Sequence, residues 1–128
     1  MVSYSENIPT FSPVEQPSLP KVLVALPTKA GYELVKIEEI IYCKAEGNYT
    51  KILFTNGHST LISRKLKETY AKLESNWFYR IHQSYLVNME FARKYLKKSG
   101  GQLELADGTV LPVSKSYKEQ VLQLFRFV

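Results

Sequence analysis

From Lys21 onward, apolar and polar residues alternate in short runs, the period-two pattern of half-buried strands. Val22–Leu26 and Tyr32–Lys36 form a first pair, separated by Pro27-Thr28-Lys29-Ala30-Gly31, a hairpin-type connection that ends in glycine. Ile40–Ala45 and Tyr49–Thr55 come next, joined by Glu46-Gly47-Asn48. Asn56-Gly57 is the strongest short hairpin signal in the chain, because both residues tolerate positive φ; it predicts a further strand at Ser59–Ile62. The period then changes. Leu66, Tyr70 and Leu73 repeat at i, i+4 and i+7, which predicts an amphipathic helix over about Arg64–Ser75 with Ser63 as its N-cap.

Trp77-Phe78-Tyr79 is expected to re-enter the core and lead into a strongly polar run. Tyr85–Val87 and Phe91–Leu96 read as strands, and Gly100-Gly101 and Asp107-Gly108 punctuate two more, Gln102–Leu105 and Thr109–Val113. Ser114 or Ser116 caps a last helix whose buried face is Tyr117, Val121, Leu122 and Phe125. The pattern predicts a mainly β fold with two short helices, neither paired with another as in a helix-turn-helix. Ahead of it, residues 1–20 hold four of the six prolines and show no periodicity. That stretch reads as a flexible linker or tail, with residues 21–128 as the domain and a further domain expected upstream.

Charge sharpens this picture. The chain of 128 residues carries a net charge of +5, and it is unevenly spread. Residues 1–20 hold Glu6 and Glu15 and no Lys or Arg, whereas residues 44–118 hold 13 Lys and Arg against 6 Asp and Glu. The basic excess therefore belongs to the folded part. It fits either a solubilising surface or a polyanionic partner such as nucleic acid. No apolar run approaches the roughly 18 residues of a membrane span, and no leader peptide is visible at the N-terminus. With a single cysteine, Cys43, the expectation is a reducing compartment and a cytoplasmic protein.

Three polar patches stand beside strand ends. In Glu46-Gly47-Asn48-Tyr49-Thr50-Lys51, a tight turn would project Asn48, Thr50 and Lys51 outward, though it equally reads as a plain hairpin. Arg80-Ile81-His82-Gln83-Ser84-Tyr85-Leu86-Val87-Asn88 packs five side chains able to reach a phosphate or base edge into nine residues, with Ile81, Tyr85, Leu86 and Val87 as anchors. A strand with one solvated face is the plainer reading of that run. Pro112-Val113-Ser114-Lys115-Ser116-Tyr117-Lys118 opens the last helix, where free N–H groups make a ready phosphate site; simple capping explains its serines equally well. On one basic scaffold, Lys and Arg would supply salt-sensitive phosphate affinity. Asn48, Gln83 and Lys115 carry groups suited to base edges, amides for adenine and a cation for guanine.

Catalysis fares worse. Cys43 lies within a strand's apolar alternation, as a buried thiol would, and His82 gives it no convincing partner. Two histidines and one cysteine provide no zinc-ligand spacing, and no phosphate loop or dinucleotide fingerprint is present. The expectation is a protein that is not an enzyme and uses no metal or cofactor.

Taken in order, the patches resemble the LytTR family of bacterial DNA-binding domains over about Val22 to Phe125. The resemblance rests on Ile40-Ile41-Tyr42-Cys43-Lys44-Ala45-Glu46-Gly47-Asn48-Tyr49-Thr50, Leu66-Lys67-Glu68, Phe78 through Asn88, and Asp107-Gly108 with Leu111-Pro112-Val113-Ser114-Lys115-Ser116-Tyr117. It implies an elongated arrangement of small, mostly antiparallel sheets with minor helices, forming the output domain of a two-component response regulator. The proline-rich start would then link it to an upstream receiver domain. It also implies loops inserted into successive major grooves of bent double-stranded DNA, with dimers on directly repeated sites.

By the same resemblance, Thr50 faces a base and Lys51 a phosphate, while Gln83 reads a base with Arg80, His82 and Ser84 on the backbone. Lys115 reaches the groove beside Ser114 and Ser116. Tyr49 and Asn88 fit the pattern as structural residues, Tyr49 packing inward. Family members often carry Lys or Arg in place of Gln83 and Arg in place of Lys115. The operator therefore cannot be copied from a relative. The rival from another class is a β-rich interaction module for an acidic partner. RNA is a third possibility, disfavoured because strand aromatics such as Phe54 read as core.

Overall fold

A computed structural model describes residues 22–74 and 77–128. The stretch read as a linker, residues 1–20, and the expected helix end at Ser75 lie outside the described residues. Strands β1 (Leu23–Thr28) and β2 (Gly31–Lys36) form a two-stranded hairpin. Strands β3 (Ile40–Glu46), β4 (Tyr49–Phe54) and β5 (Ser59–Ile62) precede helix α1 (Leu66–Leu73), and β6 (Phe78–His82) and β7 (Tyr85–Asn88) follow it. These five strands make one antiparallel sheet in the order β5-β4-β3-β7-β6. Strands β8 (Ala92–Leu96), β9 (Gln102–Leu105) and β10 (Val110–Pro112) form a third sheet, and helix α2 (Lys115–Leu122) comes last. Among the described residues no helix is long and apolar enough to cross a membrane.

The five-stranded sheet packs one face throughout and its other face at β3, β6 and β7, and alternation assigns each residue to one of them. One face sets Cys43, Ile52, Phe54, Ile62, Phe78 and Leu86 against Leu66 and Leu73 of α1 and Leu26 and Val35 of the hairpin. The other sets Ile41, Ile81 and Val87 against Leu103, Leu105 and Leu111 of the third sheet and Val121 of α2. Two register shifts, at Ile41 and Ile81, matter here. Each extra residue in the ladder turns an isoleucine into the second core. Asn88 ties the ends together: its Nδ2 donates to the Ile40 carbonyl at 2.9 Å, and its Oδ1 accepts from the Glu90 N–H at 3.1 Å. Its structural reading holds.

Several local expectations change. Ser63 does not cap α1. Lys65 occupies the N-cap position and its N–H donates to the Glu68 carboxylate at 3.0 Å, so a charge three residues into the helix satisfies the end. Trp77 does not enter the core; it is 48% exposed at φ 72°, and Phe78 alone of the three aromatics is fully buried. Leu124, just past the end of α2, rather than Leu122 joins Tyr117, Val121 and Phe125 in the second core, because the helix ends at Leu122. Cys43 is fully buried, and burial pushes its thiol up to about 12. It is an inert core residue.

Candidate nucleic-acid interface

The three polar patches converge on one end of the five-stranded sheet. The β3–β4 turn, Gly47-Asn48, and the β6–β7 turn, Gln83-Ser84, both project from that end. They are stitched together by the Ala45 N–H, which donates to the Ser84 carbonyl at 2.9 Å. On the other side, the Ser114 N–H donates to the Ile81 carbonyl at 2.9 Å, seating the start of α2 beside the second turn. Two backbone bonds thus place Asn48, Gln83 and Lys115 along one edge, all three exposed.

The central turn is held from behind. The Arg80 guanidinium donates to the His82 carbonyl at 3.3 Å and to the Gln83 carbonyl at 2.8 Å, and it lies 5.5 Å from the centre of the Tyr117 ring. Nδ1 of His82 accepts the Ser84 N–H at 3.0 Å, so in the neutral ring Nε2 carries the proton. Both side chains are half-buried, as is Ser84. They fix the backbone of the turn, and among the described residues the Gln83 side chain has no hydrogen-bond partner. Gly47 at φ 63° lets the neighbouring β3–β4 turn stay two residues long.

At the third patch, Ser114 has the extended backbone of an N-cap, yet its Oγ is buried with no hydrogen-bond partner among the described residues. Of the two serines expected to cap the helix, Ser114 sits at the N-cap position without making the side-chain bond, and Ser116 lies inside the first turn. Lys115 and Ser116 follow, exposed, in the first turn, which contains no acidic residue. A cation at the positive end of a helix is disfavoured by roughly 0.3–1 kcal/mol unless an anion is bound there.

One expected contact is excluded. Thr50 is fully buried, and its Oγ1 donates to the Arg64 carbonyl at 2.7 Å, so it cannot face a base. Tyr49, expected inside, is 48% exposed. The cause is strand alternation: the turn is only Gly47-Asn48, Tyr49 already belongs to β4 opposite Glu46, and the next residue must point to the core. Lys51 then returns to the outer face, directly opposite Lys44, a residue the patch reading missed. Like charges facing each other across strands destabilise a sheet. The Lys44–Glu46 pair at 3.7 Å, both side chains more than 40% exposed, offsets this only weakly. The register of a two-residue turn would have revealed both Lys44 and Tyr49. Arg64, brought to this end by its bond with Thr50, carried no such signal.

Acidic groups gather at the other end. Glu38, Glu74 and Glu90 line a cleft with Trp77, Tyr79, Phe91 and one cation, Arg93, where β6 begins and β7 ends. The Glu39 carbonyl accepts from Thr55 at the far end of β4. The turn end thus carries Lys44 and Lys51 with Glu46, and the opposite cleft carries three carboxylates with Arg93. Among the described residues no group of His, Cys, Asp and Glu could hold a metal ion.

Comparison with known proteins bears on the fold and the family. The profile of the LytTr DNA-binding domain matches residues 30–126. A Vibrio cholerae protein described as an uncharacterized response regulatory protein is 34% identical over 76% of this chain and 40% of its own length. The CO-responsive transcriptional regulator RcoM of Rhodospirillum rubrum is 29% identical over 81% of this chain and 46% of its own. The sensory transduction protein LytT of Bacillus subtilis is 29% identical over 79% and 42%. The chain spans less than half the length of each of these relatives. Among solved structures, the LytTr DNA-binding domain of a putative methyl-accepting/DNA response regulator from Bacillus cereus superposes with a TM-score of 0.71 at 24% identity, covering 84% of this chain and all of that one.

Proposed function

The chain belongs to the LytTR family of DNA-binding domains, and on that premise we propose that it is the sequence-reading module of a bacterial transcriptional regulator. The observation that carries this reading is the convergence of three polar turns on the basic end of one sheet. Asn48, Gln83 and Lys115 project from that end to read base edges in successive major grooves. Lys51, with Lys44 opposite, meets the phosphates between them, while Arg80, His82 and Ser84 hold the central turn in register. Nothing in this assignment is catalytic.

The relatives bear names that point to unlike inputs, a response regulatory protein in one case and a CO-responsive regulator in another. All share with this chain a unit shorter than half their length. That fits an output module attached to interchangeable sensors, a phosphoacceptor receiver domain being the input proposed here. Two copies on directly repeated sites would present two such edges to one face of the duplex.

A selection on a random duplex library at about 0.15 M salt, where purely electrostatic contacts are already weakened, tests the reading. Enrichment of two short motifs one to two helical turns apart supports it. Salt-labile bulk binding without enrichment would favour instead a module for an acidic protein partner. Lys51→Ala should weaken binding to selected and random duplexes alike. It should also lower the slope of log K against log salt by roughly 0.9, the loss of one phosphate contact; an unchanged slope removes Lys51 from the backbone contacts.

A further inference from the structure

A fourth element reaches the same edge. Between Glu90 and Glu104 the chain carries Arg93, Lys94, Lys97 and Lys98 and no acidic residue. The two lysines at the end of this series fall in the β8–β9 loop, Lys97–Gly101. The Val113 N–H donates to the Gly101 carbonyl at 2.9 Å, one residue before Ser114, whose own N–H bonds Ile81. The loop therefore stands beside the start of α2, on the side away from the Gln83 turn. A chain of backbone bonds thus links the Asn48 turn, the Gln83 turn, the start of α2 and the loop that carries Lys97 and Lys98.

The loop's shape is tightly determined. Ser99 sits at φ 52° and ψ 37°, and Gly100 and Gly101 follow at φ 85° and 125°. Three consecutive residues at positive φ are uncommon, and at serine the conformation is disfavoured without outside support. Support comes from the Gly101 N–H, which donates to the Lys98 carbonyl at 3.0 Å, and from Tyr95, whose hydroxyl lies where a side chain on Gly101 would begin. Tyr95 is itself braced by the Phe125 ring, 6.3 Å away between centres. Both lysines are exposed, and among the described residues neither has an ion-pair partner. A braced loop with two unpaired cations, aligned with a row of base-reading turns, has the chemistry of a backbone clamp.

We propose that the β8–β9 loop is a further DNA-contacting element, with Lys97 and Lys98 gripping sugar–phosphate beyond the groove that Lys115 enters. This rests on the DNA-binding reading above and extends its footprint past the three turns. The contacts are to phosphate, so they add affinity and position without base preference.

The test is a fluorescence-anisotropy titration across a salt series, on the selected duplex and on a random one. It compares the unmodified chain, the double variant Lys97→Gln with Lys98→Gln, and Lys72→Gln in the last turn of α1 as a control cation. The double variant should bind both duplexes more weakly by the same factor. Its salt slope should fall by roughly 0.9 for each phosphate released, up to about 1.8 for two; the control should match the unmodified chain. If the double variant keeps full affinity and slope while the selected duplex still outcompetes random DNA, the loop proposal is overturned and the DNA reading stands. Loss confined to the selected duplex would also overturn it, since that is the signature of base reading. If the unmodified chain binds neither duplex, the underlying reading fails and the clamp fails with it.

Discussion

Replacing Thr50 with valine should lower stability by about 1–2 kcal/mol while leaving base preference untouched. Valine has nearly the same shape, so the packing of the buried site is kept and only the hydroxyl is lost. That hydroxyl donates to the Arg64 carbonyl at 2.7 Å and lies 3.4 Å from the Thr69 hydroxyl, which itself donates to the Lys65 carbonyl at 3.1 Å. The small network joins the outer strand pair to the entry of α1, and its loss leaves the Arg64 carbonyl short of a partner. A shifted urea midpoint at unchanged slope is the expected observation. Selection on random duplexes should return the same motif as the unmodified chain. If instead the fold is as stable as before and the motif changes, Thr50 faces DNA and the register of β4 is wrong.

This residue also marks where the sequence was legible and where it was not. Most strands and both helices followed from periodicity, and every expected strand appears within a few residues of its place; β6, read only as a return to the core leading into a polar run, is not among them. Turn chemistry was equally readable: Gly47-Asn48, Asn56-Gly57 and Asp107-Gly108 all lie at turns, with each glycine at positive φ. Facing is a finer property. One residue more or less in a turn moves every following side chain to the other side of a strand, which is how Thr50 and Tyr49 exchanged places. Caps failed for a related reason. Ser63 and Ser114 are favourable cap residues in isolation, but the Glu68 carboxylate serves α1, and the Ser114 Oγ is buried without making the cap bond. The gathering of patches far apart in the chain at one edge depends on strand order, which no local pattern carries. For the same reason the lysines of the β8–β9 loop stood outside the patches: their loop is tied to the start of α2 through the Gly101 carbonyl and the Val113 N–H, a link that no local pattern carries.

The strongest effect on recognition should come from Gln83→Ala, because its backbone environment makes the substitution a clean deletion. Arg80 binds the Gln83 carbonyl, and His82 binds the Ser84 N–H; both bonds are to backbone, so the turn survives truncation of the Gln83 side chain. The β6–β7 ladder on either side is anchored by Ile81, Leu86 and Val87, all fully buried. What disappears is one exposed amide able to donate and accept at an adenine edge. The expected loss is roughly 1–3 kcal/mol on the selected duplex, or about 5- to 150-fold, with binding to random DNA nearly unchanged. A repeated selection should show one position of each half-site relaxed and the others intact. Arg80→Ala provides the contrast. Without the guanidinium the Gln83 carbonyl loses its donor and the turn its brace, so stability and specificity should fall together. Equal losses on selected and random DNA for Gln83→Ala would remove it as a reader and leave Asn48 and Lys115 to carry the base contacts.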